Sequence, residues 1–207
     1  RDRMYQIEIK DILRLVGEHG KFLDVGCANG AFLNALPDSF EKFGVEFSKE
    51  AAAHGKENHG LNIEVGQLHE TALPENSFDI VHVRGVIEHL QDPLRDLKTA
   101  YRLLKDDGWM IVSTTPNIDS YAAKFYKERF RLVFPEEHIY YFSPITLSKM
   151  LHKVGFATKS WLFPYKGTPY ASPLKDALSF GANVLLRRES PPFWRSVMTV
   201  FAQKSSG

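Results

Sequence analysis

The sequence has a single cysteine, Cys27, in 207 residues. One thiol excludes an intrachain disulfide framework and fits a reducing compartment, so a cytoplasmic location is expected. The chain also lacks a charge imbalance: 26 basic residues stand against 25 acidic ones, a formal net charge of +1. No global basic field argues for a nucleic-acid partner, and none is expected. No uninterrupted apolar run is long enough to span a bilayer, so no integral membrane segment is expected. There is no internal repeat, no low-complexity segment and no signal-peptide pattern, although the first residue is Arg1 rather than Met. The eight histidines show no metal-ligand spacing, and no metal site is expected.

What is present reads as one domain over residues 1–207, with enough chain for a full hydrophobic core. The first half alternates strand and helix signals at short intervals, the pattern of a parallel sheet with helices on both faces. Strands are expected at Phe22–Val25, Phe43–Phe47, Asn62–Val65, Phe78–Val83, Trp109–Thr114, Phe156–Phe163 and, last, Val197–Gln203. Helices are expected over residues 4–16, 31–36, 49–58, from Asp92-Pro93 to Leu104, and 145–154. Ser48, Asp92 and Ser143 are the helix-starting oxygens, and Gly60 and Gly155 the helix ends. Two insertions interrupt the pattern. Residues 117–142 are rich in aromatics interleaved with Lys124, Lys127, Arg129 and Arg131, and are expected to form a lid. Residues 164–192 are punctuated by proline and glycine, with an amphipathic helix expected near Leu174–Leu186.

The stretch Lys21–Phe32 concentrates the most information: an apolar strand, a glycine turn, then a helix. Backbone can approach a ligand closely where there is no Cβ, and a helix N-terminus offers unpaired N–H groups. The nicotinamide fingerprint G-x-G-x-x-G, aligned on Gly26, would need glycines at Ala28 and Ala31; the glycine present is Gly30.

Leu23-Asp24-Val25-Gly26-Cys27-Ala28-Asn29-Gly30 resembles the first motif of class I S-adenosylmethionine-dependent methyltransferases. Gly44–Ser48, Leu73–Val81, Val86–Pro93 (with Glu88-His89-Leu90) and His138–Pro144 resemble, in order, further stretches of that family's small-molecule group, of the ubiquinone-biosynthesis type. The resemblance implies an α/β fold: a Rossmann-like, doubly wound, mostly parallel seven-stranded sheet with an antiparallel last strand in a three-layer sandwich. It implies S-adenosyl-L-methionine as cofactor and methyl transfer as the activity.

Within that resemblance Asp24, Gly26, Cys27, Gly30, Glu46, Phe47, Gln67, Leu68 and Arg84 are expected to surround the donor. Glu46 stands at the end of the second strand, where a carboxylate can accept from both ribose hydroxyls; the plainer reading is a solvated acid. Asp24 would face the donor's ammonium, or else bond backbone N–H groups of its own turn. Phe47 would cover the adenine, or simply pack. Ala28 replaces the family's usual middle glycine and is tolerable at negative φ. Gln67 stands where the family usually has an acid reading the adenine amine.

For the acceptor side, His89 and His138 are the general-base candidates, because histidine titrates near neutrality. His89 could instead pack the turn before Asp92-Pro93, and His138 anchor the lid. The lid aromatics would wall an apolar pocket, with its cations facing an anionic group; a self-packed lid is the alternative. Ser190-Pro191-Pro192-Phe193 matches a motif of amino-group methyltransferases but precedes the last strand, and reads as a linker. The expected partner is a small-molecule methyl acceptor, apolar or aromatic with an anionic group, taken by a metal-independent enzyme that is a monomer or a homodimer. A catalytically silent binding module and a nicotinamide-dependent oxidoreductase are the competing functions.

Overall fold

The computed structural model describes residues 2–205. Seven strands form one sheet: β1 Gly20–Val25, β2 Phe40–Glu46, β3 Asn62–Val65, β4 Phe78–Arg84, β5 Leu104–Pro116, β6 Phe156–Leu162 and β7 Val197–Lys204. Their order is β3-β2-β1-β4-β5-β7-β6. The first five pair in parallel, and β7 is antiparallel to both β5 and β6. This is the expected Rossmann-like architecture. The order reverses between β1 and β4, which leaves a crevice at the strands' carboxyl ends.

Seven α-helices connect the strands: α1 Asp2–Leu15, α2 Ala31–Ala35, α3 Lys49–His59, α4 Pro93–Leu103, α5 Tyr121–Tyr126, α6 Pro144–Val154 and α7 Pro173–Leu185. Alternation along the strands sorts the core into two layers. Phe22, Ile63, Ile80, Ile111 and Phe201 meet α1, α2 and α3 on one face. Leu23, Val25, Val81, Val83 and Val112 meet α4 and α6 on the other. The helix ends follow from sequence: Ser48 Oγ accepts from Ala51 N at 3.2 Å, Asp92 Oδ1 from Arg95 N at 3.0 Å, and Gly60 and Gly155 close their helices at positive φ.

Two elements differ from expectation. β5 begins at Leu104 rather than Trp109, because the chain leaves α4 and pairs with Phe78 at once. α5 was not legible among the lid aromatics; Ser120 caps it and Ala122 and Tyr126, four residues apart, seat it on a separate small core.

The turn after β1 is held by β2. Val45 O accepts from Gly26 N at 2.8 Å and from Cys27 N at 3.2 Å. Gly26 and Gly30 take φ of +71° and +72°, and a Cβ at either would lie 2.5 Å or less from Val86 or Leu61 side-chain carbon. Ala28 also has positive φ, +50°, not the negative value that would make its methyl comfortable. Its N–H donates to Glu46 Oε2 at 2.8 Å, and that charged hydrogen bond holds the strained residue in place. Beneath the turn, Gly44 leaves room for the Cys27 thiol.

Two outcomes follow for stability, both readable by urea denaturation. Ala28→Gly relieves a left-handed cost of about 1–2 kcal/mol against a flexibility cost of roughly 0.5–1, so it should stabilise by about 0.5–1 kcal/mol. Gly44→Ala would bring a Cβ to 2.5 Å from Cys27 Sγ and 3.1 Å from Ile63 Cγ1. It should destabilise by about 1–3 kcal/mol, the usual cost of overpacking.

Candidate active site

A cavity of about 560 Å³ opens at the carboxyl ends of β1 and β4. Its floor is the glycine turn: Asp24, Gly26, Cys27, Ala28 and Asn29. Gly85 and Thr114 follow from β4 and β5, and Met4 and Tyr5 reach over from α1. Arg84, at the end of β4, lines the wall; its Nε donates to Glu8 Oε2 of α1 at 2.6 Å, and its guanidinium lies 4.9 Å from the Tyr5 ring centre.

Of the residues expected around the donor, Asp24, Gly26, Cys27 and Arg84 line this cavity. Gly30 caps α2 directly behind the turn. Asp24 is 2% exposed, and its carboxylate bonds a side chain, His82, rather than turn N–H groups. Burial pushes the Cys27 thiol well above its ordinary range, and the Asp24 and Glu46 carboxylates add to the effect, so Cys27 stays protonated.

The residues expected on the adenosine side, Glu46, Phe47, Gln67 and Leu68, do not line this cavity. Glu46 Oε2 accepts from Ala28 N and Oε1 from Ser48 N, each at 2.8 Å. A carboxylate has about four acceptor positions, so two remain for a diol. Phe47 is 74% exposed, an aromatic face with nothing packed over it rather than a core residue. Gln67 is half-buried after β3, its N–H donating to Glu70 Oε2. Leu68 departs from expectation: its side chain is buried in the core beside Val25, Val83 and Ile87, which leaves only its backbone for a ligand.

The two candidate bases are together but elsewhere. The His89 and His138 rings are 4.7 Å apart, and neither lines the cavity. His89 Nδ1 donates to Glu137 O at 2.9 Å, and Glu88 O accepts from Ile139 N and Tyr140 N, so this cluster ties the lid to the β4–α4 loop. Burial, and then His89, hold the His138 imidazole below the usual histidine range; burial raises the Glu88 carboxyl. Ligand atoms of Glu88, His89 and His138 lie within 4.8 Å of one another. Among the described residues, folding thus gathers three side chains that could hold a metal ion, a proximity that linear spacing did not show.

Residues 117–142, expected as a lid and acceptor wall or else as a self-packed lid, pack mostly on themselves and on the second insertion. Ala122, Tyr126 and Phe130 pack on Phe180, Val184 and Phe193, while Tyr121 and Phe125 are exposed. Only Arg131 and Leu132 of the lid reach the cavity. The second insertion supplies Pro164, Tyr165, Thr168, Tyr170 and Pro192, and the approach to β7 adds Phe193, Ser196 and Val197. The Ser190–Phe193 segment is therefore more than a linker. Ser190 Oγ accepts from Arg131 N at 3.1 Å, which joins the two insertions, and Pro192 and Phe193 face the cavity. Tyr165 O–H donates to buried Asp176 Oδ2 at 2.9 Å; burial and then that carboxylate push its pKa up to about 12, so it anchors the wall as a neutral phenol.

Tyr5, His82, Thr114 and Tyr165 were not singled out from the sequence, and Phe193 was read there only as part of a linker. Only Thr114, next to the strand-five end, had a positional signal. It takes φ +58° at a register shift in β5, an unusual conformation for a β-branched residue.

With this geometry in view, the comparisons with known proteins are consistent. A family model described as "Methyltransferase domain" matches residues 2–160. A ubiquinone biosynthesis O-methyltransferase of Aliivibrio fischeri is 29% identical over 178 residues, 79% of this chain and 73% of that protein. An uncharacterised protein of Methanocaldococcus jannaschii is 27% identical over 153 residues, 74% of this chain and 72% of its own. Among solved structures, an S-adenosylmethionine-dependent methyltransferase of Thermotoga maritima, titled a possible histamine N-methyltransferase, superposes with a TM-score of 0.70 at 23% identity, covering 98% of this chain and 89% of the other. Fold, glycine turn and family model agree: the chain belongs to the methyltransferase-domain family, with S-adenosylmethionine as its cofactor.

Proposed function

We propose that the protein moves a methyl group from S-adenosylmethionine to a small-molecule acceptor, without a metal ion, and that the acceptor is an apolar or aromatic body carrying an anionic group. The observation that carries this reading is the composition of the cavity. It continues from the glycine turn into a chamber walled by Tyr5, Tyr165, Tyr170 and Phe193, with Arg131 on its lining beside Arg84, which is paired with Glu8. Aromatic walls recognise a flat apolar body, and arginine recognises carboxylate or phosphate. A volume of about 560 Å³ suits a small molecule rather than a polymer. The names of two relatives, one a ubiquinone-pathway O-methyltransferase and one a possible histamine N-methyltransferase, agree on a small acceptor and differ in the atom methylated.

S-adenosylmethionine brings its own activation, a methyl on a sulfonium. The chain's task is to hold donor and acceptor in line and dry. Glu46 takes the ribose hydroxyls, Phe47 covers the adenine face, Gln67 and the Leu68 backbone read the adenine edge, and Asp24 faces the ammonium. We assign His89 and His138 to holding the lid, supported by the His89–Glu137 hydrogen bond and by their position outside the cavity lining.

Glu46→Ala should weaken S-adenosylhomocysteine binding by about 100-fold in calorimetry, because a charged group contacting two hydroxyls is lost; unchanged affinity would remove Glu46 from the site. With an acceptor identified by screening anionic aromatic compounds against labelled donor, His89→Ala should keep turnover within about tenfold of wild type. A fall in the range of about 10²–10⁴ would instead mark a general base. Chelator treatment should leave the rate unchanged, and a loss restored by added divalent metal would overturn the metal-free reading.

A further inference from the structure

The face of the sheet under α1 and α2 is mostly apolar, built from Phe22, Ile80, Ile111 and Phe201, with Thr199 buried beside Phe201. Three polar side chains interrupt it on three adjacent strands: Asp24 of β1, His82 of β4 and Ser113 of β5. Asp24 and His82 are register partners, and Ser113 lies one step along the same face from Ile111, the register partner of His82. All three are buried, at 2%, 0% and 2% exposure. His82 Nδ1 is 3.0 Å from Asp24 Oδ1, and His82 Nε2 is 2.8 Å from Ser113 Oγ. The imidazole is clamped between Phe22 and Phe32, with ring centres at 5.6 and 4.8 Å. Burying three polar groups in the innermost layer is costly unless each is bonded, and here each is.

We infer that His82 is a positioning residue for donor binding: it holds one oxygen of Asp24 so that the other faces the ammonium of the donor's amino-acid part, while Ser113 holds His82. The inference rests on the assignment of Asp24 to that ammonium. A carboxylate is acceptor-only, so His82 Nδ1 donates to it. With Nδ1 committed as donor to Asp24 and Nε2 bonded to Ser113 Oγ, both ring nitrogens are engaged. The confined ring keeps Oδ1 bonded on the core side, while Asp24 also forms part of the cavity lining. His82 touches neither donor nor acceptor; it acts through Asp24. Without it the carboxylate is free to rotate about its terminal torsion, which has a broad profile, and its charge is no longer aimed.

The test compares two ligands by calorimetry on the full chain. S-adenosylhomocysteine carries the ammonium; 5′-methylthioadenosine keeps the adenosine and lacks the amino-acid part. His82→Ala should weaken S-adenosylhomocysteine by about tenfold, the scale of losing one charge-assisted hydrogen bond, and change methylthioadenosine by less than about twofold. His82→Asn places an N–H near the lost Nδ1–H and should restore most of the affinity. Ser113→Ala should give a smaller loss with the same ligand selectivity, and it decides the matter if His82→Ala does not fold. Equal weakening of both ligands, or no weakening of either, would overturn the positioning role and leave His82 as a packing residue. Failure of the wild-type protein to bind S-adenosylhomocysteine would instead overturn the underlying donor-site assignment.

Discussion

A backbone held at positive φ is the constraint from which the site is built. Gly26, Ala28 and Gly30 all adopt it, and a chain in that conformation turns back on itself within five residues. Nothing local would keep Ala28 there. The turn survives because β2 lies beside it: the Val45 carbonyl takes two of its N–H groups and the Glu46 carboxylate a third. The same carboxylate caps the entry to α3 through Ser48 N–H. Glu46 is thus a structural tie rather than a solvated acid, and two of its acceptor positions stay open.

The two sides of the cavity have different origins. One comes from strand ends whose placement follows from the sheet order, with the switch between β1 and β4 leaving space above the turn. The other is assembled from three separated segments: α1, the second insertion and a short stretch of residues 117–142. Arg84 joins the two by pairing with Glu8 of α1. Because the second side depends on segments far apart in the chain, its lining can change without disturbing the glycine turn.

Legibility followed the range of the interactions involved. The strands read correctly because buried parallel strands are continuous apolar runs, and the capped helices because Ser48, Asp92 and Ser143 act within one turn. α5 did not read, since its two buried residues answer to Phe180 and Phe193, more than fifty residues away. His89 and His138 were singled out for their chemistry, and the fold did bring them to each other, but at the root of the lid. Leu68 is next to a plausible adenine contact yet points into the core. His82 was passed over because one polar residue in an apolar strand carries no sign of partners on strands 58 and 31 residues away.

By itself the sequence determined the fold class, the order of the strands along the chain and the glycine turn after β1, because these rest on periodicity, glycine placement and short-range caps. Tertiary structure decided which residues line the cavity, where the histidines lie and what holds Asp24. Those outcomes depend on contacts between segments far apart in the chain, which only the packed sheet and its two insertions bring within bonding distance.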